Sequence, residues 1–168
     1  MNKKQKGFSL IELLIVVAII LIIAAIAIPN LLRARMAANE SSAVGTVRTL
    51  VTSEVTFSST WNIGFAPTLA ALGGTAVPCV ASSTNACLID PLIAAGGPKS
   101  GYDVAAVGGT PVNNVISTFG ASAYPVTQGT TGTRTFCSDE SGVVRVDVSG
   151  AAMATPTDTG CEAFPSLQ

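Results

Sequence analysis

The sequence predicts an α+β protein, in which a long N-terminal helix packs on an antiparallel sheet of about four strands. Three observations carry this. The first is a long apolar run from Phe8 to Ile28, interrupted only by Ser9 and Glu12. The second is an apolar stripe at helical spacing through Ala43, Val47, Leu50, Phe57 and Trp61. The third is a series of short β-type runs after residue 100, divided by Gly, Asn, Asp and Ser. The expected divisions are a leader at 1–7, a hydrophobic helix at 8–28, an amphipathic helix at 29–61 and a globular head at 62–168.

As a helix, Phe8 to Ile28 spans about 31 Å, close to the ~30 Å hydrocarbon core of a bilayer. Lys3, Lys4 and Lys6 precede it and would stay cytoplasmic under the positive-inside rule. Arg33 and Arg35 follow the span and weaken that asymmetry without reversing it. Glu12 is the anomaly, because a charge at membrane depth costs roughly 2.5–3.5 kcal/mol on insertion scales. Three readings compete. One is a plain membrane anchor. A second is a secretory signal peptide cut near Ala25-Ile26-Ala27, although its apolar region is longer than usual. In the third, a short basic leader ends at Gly7, and cleavage there exposes an amine on Phe8. Glu12 then lies one helical turn from that amine. In staggered side-by-side helices, the amine of one copy neutralises the carboxylate of another, so Glu12 sets the register.

The run Lys-Gly-Phe-Ser-Leu-Ile-Glu-Leu-Leu-Ile-Val-Val-Ala-Ile-Ile, Lys6 to Ile20, closely resembles the type IV prepilin processing site. Pro29 and Asn30-Leu31-Leu32 continue the likeness. The resemblance implies the type IV pilin fold and cleavage after Gly7 by a membrane-embedded prepilin peptidase. It further implies N-methylation of Phe8 by the same enzyme and a part for Glu12 in subunit register. Implied partners are further copies of the chain in a helical filament, the prepilin peptidase, the inner-membrane assembly machinery and the membrane itself. The implied location is the bacterial inner membrane before assembly and an extracellular filament after it. Over residues 1 to about 60 the resemblance is close. In the head it is mainly architectural, with Gly129 to Arg145 the nearest local likeness.

Pro29 lacks a backbone donor and is expected to kink or loosen the helix, which resumes and runs to about Thr60. Val44 and Val51 flank the stripe, Glu40 and Arg48 are assigned to the polar side, and Glu54 falls within the stripe. Gly45 and many Ser and Thr lower intrinsic helicity, so packing must supply the stability. The stripe reads as core and not as a cofactor site. Asn62 to Pro67 is a turn, Thr68 to Leu72 a helical turn, and Leu88 to Ala95 a short helix. Strands are predicted at Tyr102–Val107, Phe119–Thr127, Thr133–Ser138 and Val143–Ser149. In the last, Val144, Val146 and Val148 share one face. The loops at 108–118 and 126–132 are left for surface contacts.

Cys79, Cys87, Cys137 and Cys161 form an even set behind an export-like segment, which points to two disulfides. Three pairings are possible. Cys79–Cys87 with Cys137–Cys161 is preferred because each closes a segment rich in Gly, Ser, Thr or Pro. The chain-entropy model assigns about 2.5 and 3.5 kcal/mol to those loops.

The chain of 168 residues is 48% hydrophobic and 11% charged, a balance unlike that of charge-rich disordered chains. It has no histidine, which removes the commonest general base and metal ligand. No metal or cofactor is expected. Beyond Gly7 there are six cations and ten anions, with no basic stripe for a nucleic acid. There is no P-loop, GxSxG or HExxH. Asp139 and Glu140 lack EF-hand spacing and read as a solvated hairpin turn; Asp90 and Asp103 read as turn or surface charges. The expected function is structural and not enzymatic: a major pilin, with a type II secretion pseudopilin or a minor pilin as the alternative. A soluble binding module released after Ala27 is the reading from another class.

Overall fold

The computed structural model of the protein describes residues 8–74 and 78–167. The expected leader at 1–7, with Gly7, lies outside the described residues. The chain divides into two compact units, one ending at Arg35 and the other Met36–Gln168. Helix α1, Leu10–Trp61, contributes to both and continues through Pro29.

In the first unit the large apolar side chains from Leu10 to Leu32 are 46–80% exposed. This helix is long and apolar enough to cross a membrane. Its apolar side chains point all round and not along one stripe, and no described residue buries them.

The second unit is the head. Its sheet runs β1 (Tyr102–Gly108), β2 (Phe119–Pro125), β3 (Thr135–Asp139) and β4 (Arg145–Asp147), each antiparallel to its neighbour and adjacent in chain order. Register places Val104 opposite Ala123, Ala123 opposite Phe136 and Phe136 opposite Val146. Strand alternation therefore puts these four on one face, and all are buried with Ala43, Val47, Leu50 and Phe57 of α1. Trp61 is half-buried and stacks on Phe57 with centroids 4.9 Å apart.

The second face of β2 and β3 is also covered. Ser122 Oγ donates to the Met153 carbonyl at 2.6 Å, and Thr135 Oγ1 to that of Ala151 at 2.7 Å. Pro156 lies so close over Gly120 that a Cβ there would meet its carbonyl at 2.6 Å. Cys137 is bonded to Cys161, with Cα atoms 5.8 Å apart. All five residues of β3 are consequently buried. The segment after β4 also lines the sheet edge: Val146 N–H donates to the Pro165 carbonyl, and Leu167 N–H to that of Val144.

Short helices complete the head. Helix α2 is Leu69–Leu72. Helix α3, Pro91–Ala94, is narrower than the expected 88–95, because Asp90 caps it by accepting from Leu92 N–H and Pro91 opens it. Between them Cys79 and Cys87 are bonded, with Cα atoms 6.1 Å apart. Helix α4, Asp158–Glu162, is an addition to the expected elements; Thr157 caps it by accepting from Gly160 N–H.

Four expectations are corrected. Val148 is exposed and not on the core face, because the chain turns after β4, with Ser149 N–H donating to Asp147 Oδ1. The strand expected to reach Thr127 ends at Pro125, and Val126 N–H turns to the Gly101 carbonyl. Glu40 is buried and not on the polar side. Asp139 is buried and not solvated, held by Ser141 N–H at 2.9 Å and by the Ser141 hydroxyl; Glu140 is exposed.

Candidate assembly helix and head anchor

Helix α1 starts where Ser9 places its carbonyl to accept Leu13 N–H at 3.2 Å. Glu12 Oε2 accepts Ser9 N–H at 2.9 Å. Ser-x-x-Glu is the spacing of a capping box, in which the carboxylate three residues into the helix satisfies the backbone donor at its cap. A negative group in the first turn also complements the helix dipole. Glu12 thus folds back over the start of the helix, onto the amide that follows Phe8, and both Phe8 and Glu12 are exposed. The part of Ser9 was missed in the sequence, although the four-residue pattern was there to be read.

Pro29 lies within α1, where it withholds one intrahelical hydrogen bond from the turn before it. The cysteines pair as Cys79–Cys87 and Cys137–Cys161. Glu12, Pro29 and the cysteines do not converge on one site. Among the described residues, no three His, Cys, Asp or Glu side chains gather to hold a metal ion.

Two buried carboxylates of α1 fix the head. Glu40 Oε1 accepts from Thr133 N–H at 3.0 Å and Thr133 Oγ1 at 2.9 Å. Glu40 Oε2 accepts from Arg134 Nε at 3.0 Å and Nη2 at 2.6 Å. Burial alone would raise the Glu40 pKa, but Arg134 and Thr133 outweigh it and hold it below the usual carboxylate value. One residue earlier, Asn39 Nδ2 donates to the Thr131 carbonyl at 2.8 Å. Tyr102 Oη donates to the Arg134 carbonyl at 2.9 Å, and the Arg134 guanidinium lies 5.5 Å from the Phe136 ring centroid. Burial, then the Glu40 charge, push Tyr102 up to about 12.

Glu54 differs. It is fully buried, and Oε2 accepts Ala66 N–H at 2.7 Å while Oε1 has no partner among the described residues. Burial pushes its pKa up to about 7, only partly offset by the Ala66 N–H. Among the described residues no cation stands against it to hold the charge. Neither anchor was legible from sequence, since each partner lies far along the chain or in a turn.

Residues 2–28 match the family described as the prokaryotic N-terminal methylation motif. The type IV major pilin protein PilA of Myxococcus xanthus is 43% identical over 74 residues, covering 39% of this chain and 34% of that protein. The N-terminal segment of this chain is thus similar to that of these pilins. The type IV wide pilus major component PilA4 of Thermus thermophilus is 64% identical over 39 residues, 23% of this chain and 30% of that protein. The matched part thus spans about a third of each of these pilin relatives. No solved structure matches the chain.

Proposed function

We propose that the chain is the structural subunit, the major pilin, of a type IV pilus. The observation that carries this is the exposed apolar helix that begins at the methylation motif. In water, sixteen large apolar side chains from Leu10 to Leu32 would stand exposed, and each is worth about 1.5–3 kcal/mol when buried. Such a helix needs lipid or other copies of itself around it. On this reading the leader 1–7 is removed after Gly7 and Phe8 is N-methylated by a prepilin peptidase. The segment 8–28 rests in the inner membrane, and assembly machinery transfers it to the filament core. There the Phe8 amine and the Glu12 carboxylate of neighbouring copies set the stagger, Pro29 relaxes the helix, and the head at 62–168 with the amphipathic part 29–61 forms the outer layer. The role is structural, with no catalysis assigned to the chain.

The test is intact mass and N-terminal sequencing of sheared surface fibres and of membranes from the native cell. A chain starting at N-methylated Phe8 and dominating the fibres is expected. The same chain confined to membranes would refute the major-pilin reading. In Glu12→Val the protein is expected in the membrane with few filaments, and normal piliation would remove Glu12 from register.

A further inference from the structure

Charge is distributed unevenly over the head. Residues 36–168 hold four cations and nine anions. Arg134 pairs with Glu40, and Arg145 lies 3.8 Å from Asp139. Arg48 and Lys99 are the head cations left without an ion pair among the described residues. Asp90, Glu140 and Glu162 are exposed acids on the short helices and the β3–β4 turn, and none has an ion pair among the described residues.

Arg48 stands exposed on α1 between two grooves. One, of about 390 Å³, is lined by Arg48, Thr49, Thr52, Ser53, Thr56 and Leu88. The other, of about 330 Å³, has Glu40, Ser41, Val44 and Arg48 on the helix side and Arg134, Phe136 and Leu167 opposite, with the Glu40 charge already taken up by Arg134. The helix surface between them is populated by hydroxyls that donate to their own helix: Thr49, Thr52 and Thr56 each bond the carbonyl four residues back. Arg48 is thus the cation of this trough that no ion pair holds among the described residues.

We propose that this trough receives an acidic side chain, Asp90, Glu140 or Glu162, from the head of a second copy of the chain. The inference rests on the filament reading above and names a contact within it. Heads with an acid excess repel one another at contact distance, where charges lie within the screening length of about 8 Å at physiological ionic strength. A cation in the contact offsets that repulsion. The trough supplies one on the helix, while the acids sit on other surfaces. Two different patches then meet, and a contact of that kind is heterologous, which permits an open helix where the rotation does not close and does not pair two copies face to face.

The experiment places a photo-crosslinking amino acid at Thr52, inside the trough, and compares wild type with Arg48→Lys and Arg48→Glu in the native cell. Expected are crosslinks from position 52 to peptides of a second copy that carry Asp90, Glu140 or Glu162. Filament yield in Arg48→Glu is expected to fall by about tenfold or more, as for a reversed charge at a contact, with membrane protein undiminished and both disulfides formed; Arg48→Lys retains filaments. Wild-type yield in Arg48→Glu, or crosslinks that reach only the same chain, lipid or another protein, would overturn the proposal. Absence of filaments from wild type itself would instead overturn the pilus reading, so the two failures are told apart.

Discussion

Glu54 makes the head sensitive to pH in a direction opposite to most carboxylates. Its value rises from 4.5 to about 7 on folding, so the folded state favours the neutral acid. Stability from this group is fully present below the unfolded value and is lost as pH rises through about 7. At about 1.36 kcal/mol per pH unit, that difference gives roughly 3 kcal/mol. For a head of this size that corresponds to a melting shift on the order of 10 °C. Glu54→Gln removes the titration while keeping an oxygen to accept Ala66 N–H. Its amide leaves a buried donor unmatched, at about 1–3 kcal/mol, so the mutant starts lower but stays level with pH. Thermal unfolding of the detergent-solubilised full chain by near-ultraviolet circular dichroism, from about pH 5 to 8.5, separates the two. A wild-type midpoint that falls across neutrality and a level Glu54→Gln midpoint are expected. Equal slopes in both proteins would refute the reasoning.

Glu40 acts with the opposite sign. Its lowered pKa means that its contribution is present above the unfolded value and is lost as pH falls through the folded one. Glu40→Ala strands Arg134 and Thr133 and should cost about 2–4 kcal/mol, read by urea unfolding near neutral pH. Phe57→Ala empties a fully buried ring position and should cost about 3–5 kcal/mol in the same assay. Paired Cys137→Ser and Cys161→Ser substitutions should lower stability by about 2–5 kcal/mol. They should also raise hydrogen exchange in 150–163, where the covering segment loses its covalent tie.

The helix and the four strands were legible because they follow period rules. The stripe Ala43, Val47, Leu50 and Phe57 recurs at helical spacing, and Val144 and Val146 alternate as a strand should. Val148 continued the same alternation yet faces solvent, since hydrogen bonds from Ser149 to Asp147 turn the chain at that point. Periodicity reports the face of a strand but not where it stops. The burial of Glu40 and Asp139 was illegible for another reason. Composition marks both as surface residues, and only the distant partners Thr133 and Arg134, or the local wrap of Ser141, make burial tolerable. At the start of the chain, Glu12 stood out as an anomaly of hydropathy, whereas its bond to Ser9 N–H required reading the cap pattern.

The grip of Asn39 and Glu40 on residues 131–134 has a mechanical meaning. Within the head these are the first α1 side chains to be tied to another segment. Tension drawn along α1 reaches the globule there before it reaches the core. The load falls on a cluster of bonds from Thr131, Thr133 and Arg134, which must yield together and not one by one. Just beyond this cluster, the Cys137–Cys161 bond closes a covalent loop that limits how far the chain can extend once the grip fails. In a head drawn out this way, the Cys137–Cys161 bond would keep the stretch between those two residues from lengthening, while the chain before it stays free to extend.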